Sequence, residues 1–232
     1  GARSYLGVIV PFAVIPLVLP RFTTSTDEAT LTLLQGVAFG LFTVLLYGVF
    51  LALQTVTHRT FFEDPRQREP ETEEAHHGSH SNLHPLVHVA LLVLLLVPFV
   101  AMAEELAHYV DYGIAELSAP PALGGILIAT LVLLPEAVSA VKAARADSLQ
   151  RSVNICLGSA LSTMGLTIPV VLAIGFLTGH QIILGLSDVS IVMLATTLLV
   201  SILTFTGRST NVLQGLVHLV LFGVFLVLAV HP

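Results

Sequence analysis

An all-α, polytopic membrane helix bundle with about seven spans is what this sequence predicts, and three observations carry that prediction. Of the 232 residues, 55% are hydrophobic and 10% charged, against about 25% charged in a soluble domain; mean hydropathy is +0.91. The apolar residues fall into blocks of about 17 to 25, the length of helix that crosses a hydrocarbon core of about 30 Å at about 1.5 Å per residue. Runs such as Leu86 to Met102 do not alternate apolar with polar residues, so barrel strands of about ten alternating residues are excluded and helix is the remaining spanning structure.

The first span, Tyr5 to Leu19, is short and carries Pro11 and Pro16, so it is either kinked against neighbours or only part of a span. The second runs from Thr30 to Leu53. Five more follow at Pro85 to Ala107, Pro121 to Ala144, Val153 to Leu177, Ser187 to Thr206 and Asn211 to Val230. With alternating directions, one side receives Arg3, Arg59, Arg66, Arg68, Lys142, Arg145, Arg151 and Arg208, and the other only Arg21. The positive-inside rule makes the first side cytoplasmic, with the N-terminus inside and the C-terminus outside. One helix more or fewer in the middle would scramble that split, so the charges also test the span count.

The organisation that follows is two transmembrane helices over residues 1–57, a cytoplasmic linker over 58–84 and five helices over 85–232. The linker holds Glu63, Asp64, Glu69, Glu71, Glu73, Glu74 and the histidines His58, His76, His77, His80 and His84. Its composition is that of a solvated, largely disordered loop. Its density of acids and histidines is also that of a weak divalent-cation or pH-sensing segment, and the sequence leaves both readings open. The single Cys156 excludes an intrachain disulfide and a cysteine-based zinc site. Gly1 to Tyr5 include neither Met nor a leader-like segment, and the expectation is a piece of a longer chain.

Inside the spans ionisable groups are nearly absent, which singles out Glu136 in Leu133-Leu134-Pro135-Glu136-Ala137. Within the apolar stretch Ala122 to Val141 it lies about 7 Å to the cytoplasmic side of the midpoint, at about 1.5 Å per residue. An acid at that depth costs at least about 2.5 kcal/mol and stays where it faces a polar cavity or an ion; the bland alternative is a protonated Glu hydrogen-bonded in a helix interface. Pro135 removes a helical hydrogen bond, so a broken or kinked fourth span is expected, with freed carbonyls beside the acid. Such a combination binds small cations and protons in secondary transporters, and its oxygen donors suit a hard ion such as Ca²⁺ or Na⁺. In the fifth span Asn154, Gly158, Ser162 and Gly165 fall along one helical face, flanked by Ser159. Small residues so spaced serve close helix packing; beside Glu136 the hydroxyls and Asn154 would complete an oxygen cage.

Other constellations carry less. Glu104 and Glu105 end the third span near the outer surface, as interfacial acids or as a cation-attracting vestibule. Glu105-Leu-Ala-His108 matches the Glu-x-x-His unit of di-iron bundles, but that site needs a second such unit and two more glutamates. Asn211, Gln214 and His218 recur on one face of the seventh span, either lining a proton path or bonding a neighbouring helix.

Leu134-Pro135-Glu136-Ala-Val-Ser139-Ala-Val-Lys142-Ala-Ala-Arg145, followed by Asn154-Ile-Cys-Leu-Gly158-Ser159, resembles the second α-repeat of the Ca²⁺/cation antiporter superfamily. Gly158-Ser159-Ala-Leu-Ser162-Thr163-Met-Gly-Leu-Thr-Ile-Pro169 and Leu213-Gln-Gly-Leu-Val-His218-Leu-Val-Leu-Phe222 are most similar to the bacterial ChaA-type calcium/proton antiporters. The resemblance covers Leu86 to Val230 strongly and the first two helices weakly. It implies two inverted five-helix repeats, each donating one acid to a midplane site, with 85–232 as the second repeat and its α-repeat at about 121–178. It makes Glu136 the second repeat's acid and metal ligand, with Asn154, Ser159 and Ser139 as polar neighbours; Ser162 joins the candidate cation-binding residues from its place on the fifth span's face. Val132 and Leu133 stand where the sodium/calcium exchanger branch has polar residues, and Thr163 where it has a later acid or amide, which favours a proton-coupled member.

The function expected is exchange of a cation, Ca²⁺ first and Na⁺ or K⁺ beside it, for protons across a bacterial inner membrane. No cofactor is implied beyond the transported ions. The partners are those ions, the lipid bilayer, the first-repeat half of the same transporter and, as an option, a second copy in a homo-oligomer; nucleic acid is not among them. The first two spans contain no acid, so they fit the end of a first repeat whose carboxylate lies elsewhere, and this chain alone is not expected to transport. An intramembrane enzyme is disfavoured, since no His-Glu-x-x-His, no Gly-x-Ser-x-Gly and no pair of intramembrane acids is present. A cation channel or a non-transporting subunit is the alternative.

Overall fold

The computed structural model describes residues 2–24, 30–54, 84–179, 183–207 and 210–231. Apart from His84, the acidic linker and its histidines lie outside the described residues, as do Arg59, Arg66, Arg68 and Arg208. The described residues form eight helices: α1 (Ala2–Leu17), α2 (Leu19–Phe22), α3 (Leu33–Ala52), α4 (Pro85–Glu116), α5 (Ala122–Arg145), α6 (Leu149–Thr178), α7 (Asp188–Thr206) and α8 (Val212–Val230). Six of them, α3 to α8, are long and apolar enough to cross a membrane. The first expected span is the exception: α1 has 16 residues, a rise of only about 24 Å. All eight belong to an all-α membrane bundle, and the outward surfaces are apolar, with Leu94, Leu95, Leu213 and Leu219 all exposed.

Helix boundaries follow local chemistry. Thr32 and Gln35 form a reciprocal capping box at the start of α3, and the Ser187 hydroxyl accepts from the Ser190 amide at the start of α7. Asn211 and Gln214 cap α8 in the same reciprocal way, Asn211 N–H to Gln214 Oε1 at 3.1 Å and Gln214 N–H to Asn211 Oδ1 at 2.9 Å. The turns after α4 and α5 are closed by paired bonds in a Schellman arrangement, Ala119 N to Ile114 O and Ser118 N to Ala115 O, then Ser148 N to Ala143 O and Asp147 N to Ala144 O. The pivots Ser118 and Asp147 take left-handed φ values of 50° and 57°, a conformation that ordinarily selects glycine.

Two compact units divide the described chain. The unit built from residues 1–65 and 135–222 is organised around α6. Its buried stripe, Leu161, Gly165, Ile168, Leu172 and Gly175, repeats at alternating intervals of four and three and packs on α1 and α3. Tyr5, Ile9 and Phe12 of α1, Phe50 of α3 and Leu161 of α6 form its core. Short as it is, α1 is strongly buried through Tyr5, Leu6, Ile9, Phe12, Ala13 and Pro16. It runs antiparallel to α7: the Arg3 guanidinium donates to the Thr206 carbonyl at one end, and at the other Leu186 N–H donates to Leu17 O at 2.9 Å and Arg21 pairs with Asp188 at 3.1 Å.

The second unit, residues 66–134 and 223–232, contains α4 and the first half of α5. There a side chain at Gly124 would meet Ile114 Cδ1 at 3.0 Å, so the glycine lets the end of α4 approach α5. The third expected span stops at Ala107, whereas α4 continues to Glu116. Glu104 and Glu105 therefore sit within the helix, both exposed, not at its end.

Two glycines set the approach of α3 to α6. A Cβ at Gly165 would lie 2.8 Å from Tyr47 Cδ2 and 2.9 Å from Cγ, at the root of a ring that cannot swing clear; a Cβ at Gly36 would meet the tip of Phe176 at 2.3 Å. Gly165→Val is thus expected to destabilise the detergent-purified protein by about 1–3 kcal/mol, the usual cost of overpacking. Gly36→Ala should cost less, because the Phe176 tip can rotate away. Thermal unfolding of both variants checks the order.

Candidate functional site

The first unit carries an open cavity of about 350 Å³. Its polar lining comes from four helices or their ends: Tyr5 of α1, Gln54 just after α3, Glu136 of α5, and Asn154 and Ser159 of α6. Tyr47, Phe50, Ile155 and Leu161 supply apolar wall. A volume that size holds about ten waters at about 30 Å³ each, and among the described residues its ionisable lining groups are one carboxylate and two phenols.

Tyr5, Gln54 and Asn154 are positioned by identifiable contacts. Tyr5 is 2% exposed, and its ring tilts against Phe50 with centroids 5.2 Å apart. Its hydroxyl accepts a hydrogen bond from Gln54 Nε2 at 2.9 Å. Asn154 lies one turn before Gly158 on the inner face of α6, and its Oδ1 accepts from Gln150 Nε2 at 3.2 Å. The Tyr5 hydroxyl lies close to α6 at Gly158, 3.6 Å from where a Cβ would stand, an ordinary contact distance. Glu136 is half-buried.

The residues singled out from sequence divide by place. Glu136, Asn154 and Ser159 line the one cavity. Ser139 is exposed and its hydroxyl donates to Pro135 O at 2.8 Å, while the Ser162 hydroxyl donates to Ser159 O at 3.0 Å; neither lines the cavity. The expected break at Pro135 is corrected: α5 runs unbroken from Ala122 to Arg145 with Pro135 inside it. Proline lacks an N–H, so the Leu131 carbonyl still has no donor four residues on, but the helix continues past it.

His218 lies between α7 and α8. Its Nδ1 is 2.8 Å from the Gln214 carbonyl, its Nε2 is 3.3 Å from Ser201 Oγ, and its ring leans on Phe205. Since a carbonyl only accepts, Nδ1 carries a proton. Asn211 and Gln214 are engaged in the α8 cap, and none of the three lines the cavity. Among the described residues no group of three or more His, Cys, Asp or Glu side chains could hold a metal ion, and Glu104 and Glu105 belong to no such cluster.

Sequence reading did not single out Tyr5, Tyr47 or Gln54 for the site. The signal for Gln54 was an amide at the end of an otherwise apolar span; for the tyrosines there was none, since aromatic residues at helical spacing read as core.

The family model described as sodium/calcium exchanger protein matches residues 87–231. A protein of Sinorhizobium fredii named as an ionic transporter, y4hA, is 44% identical over 232 residues, covering 100% of this chain and 62% of its own length. The sodium-potassium/proton antiporter ChaA of Escherichia coli K12 is 34% identical over 230 residues, covering 97% of this chain and 61% of its own. The chain thus spans about three fifths of the length of these relatives. No solved structure matches it significantly.

Proposed function

The chain belongs to the sodium/calcium exchanger protein family, in the Ca²⁺/cation antiporter superfamily and of ChaA type, and from that membership we propose that it carries the ion-binding half of a cation/proton antiporter in which Glu136 takes up a cation and a proton in alternation. The observation that carries the reading is a lone carboxylate on a cavity otherwise lined by neutral groups, on an apolar helix. One carboxylate cannot hold a proton and a cation together, so each occupant expels the other, and the energy released by one flowing downhill can move the other uphill.

Asn154 and Ser159 supply neutral oxygens to the same space, the ligand type that hard cations take. Ca²⁺ is the cation first proposed from that chemistry; the name of the Escherichia coli relative sets Na⁺ and K⁺ beside it. A first-repeat half, lying in the part of the relatives that this chain does not cover, is proposed to bring the partner acid. The proposed location is the bacterial inner membrane, with the N-terminus of this chain on the cytoplasmic side, on the strength of the Lys and Arg distribution.

The direct test is proton flux in vesicles containing the full-length protein, with Ca²⁺, Na⁺ and K⁺ added separately. Cation-driven proton movement is expected in the wild type and a fall to background in Glu136→Gln; full activity in the variant would remove Glu136 from the mechanism, and ion flux without proton coupling would make the protein a channel. Among the neutral groups, Asn154→Leu is expected to raise the half-saturating cation concentration about tenfold, equivalent to about 1.4 kcal/mol. Ser139→Ala and Ser162→Ala, whose hydroxyls bond their own helices, should stay within about twofold, or about 0.4 kcal/mol.

A further inference from the structure

The geometry points to Gln54, held in place by Tyr5, as a cation-binding residue of this cavity supplied from outside the α5–α6 pair. The inference rests on the antiport reading of the same cavity and adds a ligand to it. Gln54 follows α3 and lines the cavity together with Glu136, Asn154 and Ser159. Its Nε2 donates to the Tyr5 hydroxyl at 2.9 Å, and an amide with its nitrogen so engaged turns an acceptor-only oxygen, Oε1, to other work. The anchor is fixed: Tyr5 is deep in the core against Phe50 and Leu161.

The donor count asks for such a residue. Hard cations collect about six or more oxygens. Glu136 offers two, Ser159 one and Asn154 one, and the Asn154 oxygen already accepts from Gln150 at 3.2 Å. Gln54 Oε1 brings a further oxygen without charge. The cavity, at about 350 Å³, exceeds a bare ion, so waters complete the shell and link ligands on opposite walls. A neutral oxygen at this position leaves Glu136 as the only fixed charge among the described residues of the wall. Exchanging it for a carboxylate should therefore favour divalent over monovalent ions.

The test is a cation titration of proton flux in vesicles holding the full-length protein, wild type beside Gln54→Leu, Gln54→Glu and Tyr5→Phe, with Ca²⁺, Na⁺ and K⁺ in turn. Gln54→Leu should raise the half-saturating concentration of the most effective ion about tenfold at a retained maximal rate, the loss of one ligand contact to a charge. Tyr5→Phe, which loosens the amide and leaves its oxygen, should raise it about threefold. Gln54→Glu, nearly isosteric and so a check where the leucine variant misfolds, should move the Ca²⁺ to Na⁺ preference toward Ca²⁺. An unchanged half-saturation in Gln54→Leu, a loss of maximal rate alone, or an unaltered preference in Gln54→Glu would overturn the assignment. Absence of coupled flux in the wild type would instead fail the antiport reading, and Ca²⁺ binding to the detergent-purified wild type and Gln54→Leu proteins would then decide the ligand by itself: equal affinities would refute it.

Discussion

A carboxylate on an apolar helix is the feature on which the rest of the first unit depends. In hydrocarbon Glu136 would carry a penalty of at least about 2.5 kcal/mol, and among the described residues no basic side chain lines the cavity beside it. The fold meets this with space and neutral dipoles: a cavity of about 350 Å³ with Asn154, Ser159, Gln54 and Tyr5 on its walls. Gln54 is bonded to the Tyr5 hydroxyl and Asn154 to Gln150, so these polar groups are held while the cavity remains open. Dipoles held by bonds to their neighbours cost little reorganisation when charge arrives, which is what a site that exchanges charged occupants requires.

Keeping that space open is a packing problem, and α1 is central to it. Although its 16 residues fall short of a span, α1 packs on α6, α7 and α3 and carries the tyrosine that anchors Gln54. Arg3 and Arg21 tie its ends to those of α7; the exposed Arg21–Asp188 pair is worth at most about 1 kcal/mol, so the register is set by the core residues between them. Gly165 lets the Tyr47 ring lie against α6, and Tyr47 is also cavity wall. Helix contact and cavity shape are thus governed by the same side chains, and a change in one should be felt in the other.

Much of this was legible in the sequence because the bilayer imposes strong rules. Spans of fixed length had to be helices, and the caps at Thr32, Ser187 and Asn211 stand within three residues of the expected starts. A lone acid among apolar residues marked Glu136, and helical periodicity brought Asn154 and Ser159 toward it. What escaped the reading depends on contacts between distant segments. Tyr5 and Gln54 are 49 residues apart and meet only because α1 and α3 pack together. Ser139 has the right spacing to neighbour Glu136, yet its hydroxyl returns to the Pro135 carbonyl four residues back, a local competition that spacing does not reveal. Pro135 lies inside a helix that continues, since one lost hydrogen bond does not outweigh the intact bonds on either side. Asn211 and Gln214 fitted a proton path by periodicity, whereas their position at a helix start gives them to the cap.

Charge balance connects the site to the choice of ion. On the proposed mechanism a proton, Na⁺ or K⁺ neutralises Glu136 one for one, and the neutral walls need do no more than solvate the pair. Ca²⁺ leaves one positive charge behind in a medium where an uncompensated charge costs several kcal/mol, so its exchange requires a second anionic group at the cavity. Among the described residues lining the cavity Glu136 is the only carboxylate, and the relatives extend well beyond the 62% and 61% of their lengths that this chain spans. A second acid from that additional segment would turn the site toward Ca²⁺, whereas without it the neutral oxygens of Asn154, Ser159 and Gln54 suit a monovalent ion. On that proposal the ion carried depends on what a segment outside this chain adds beside Glu136, and the residues described here set how tightly it is held.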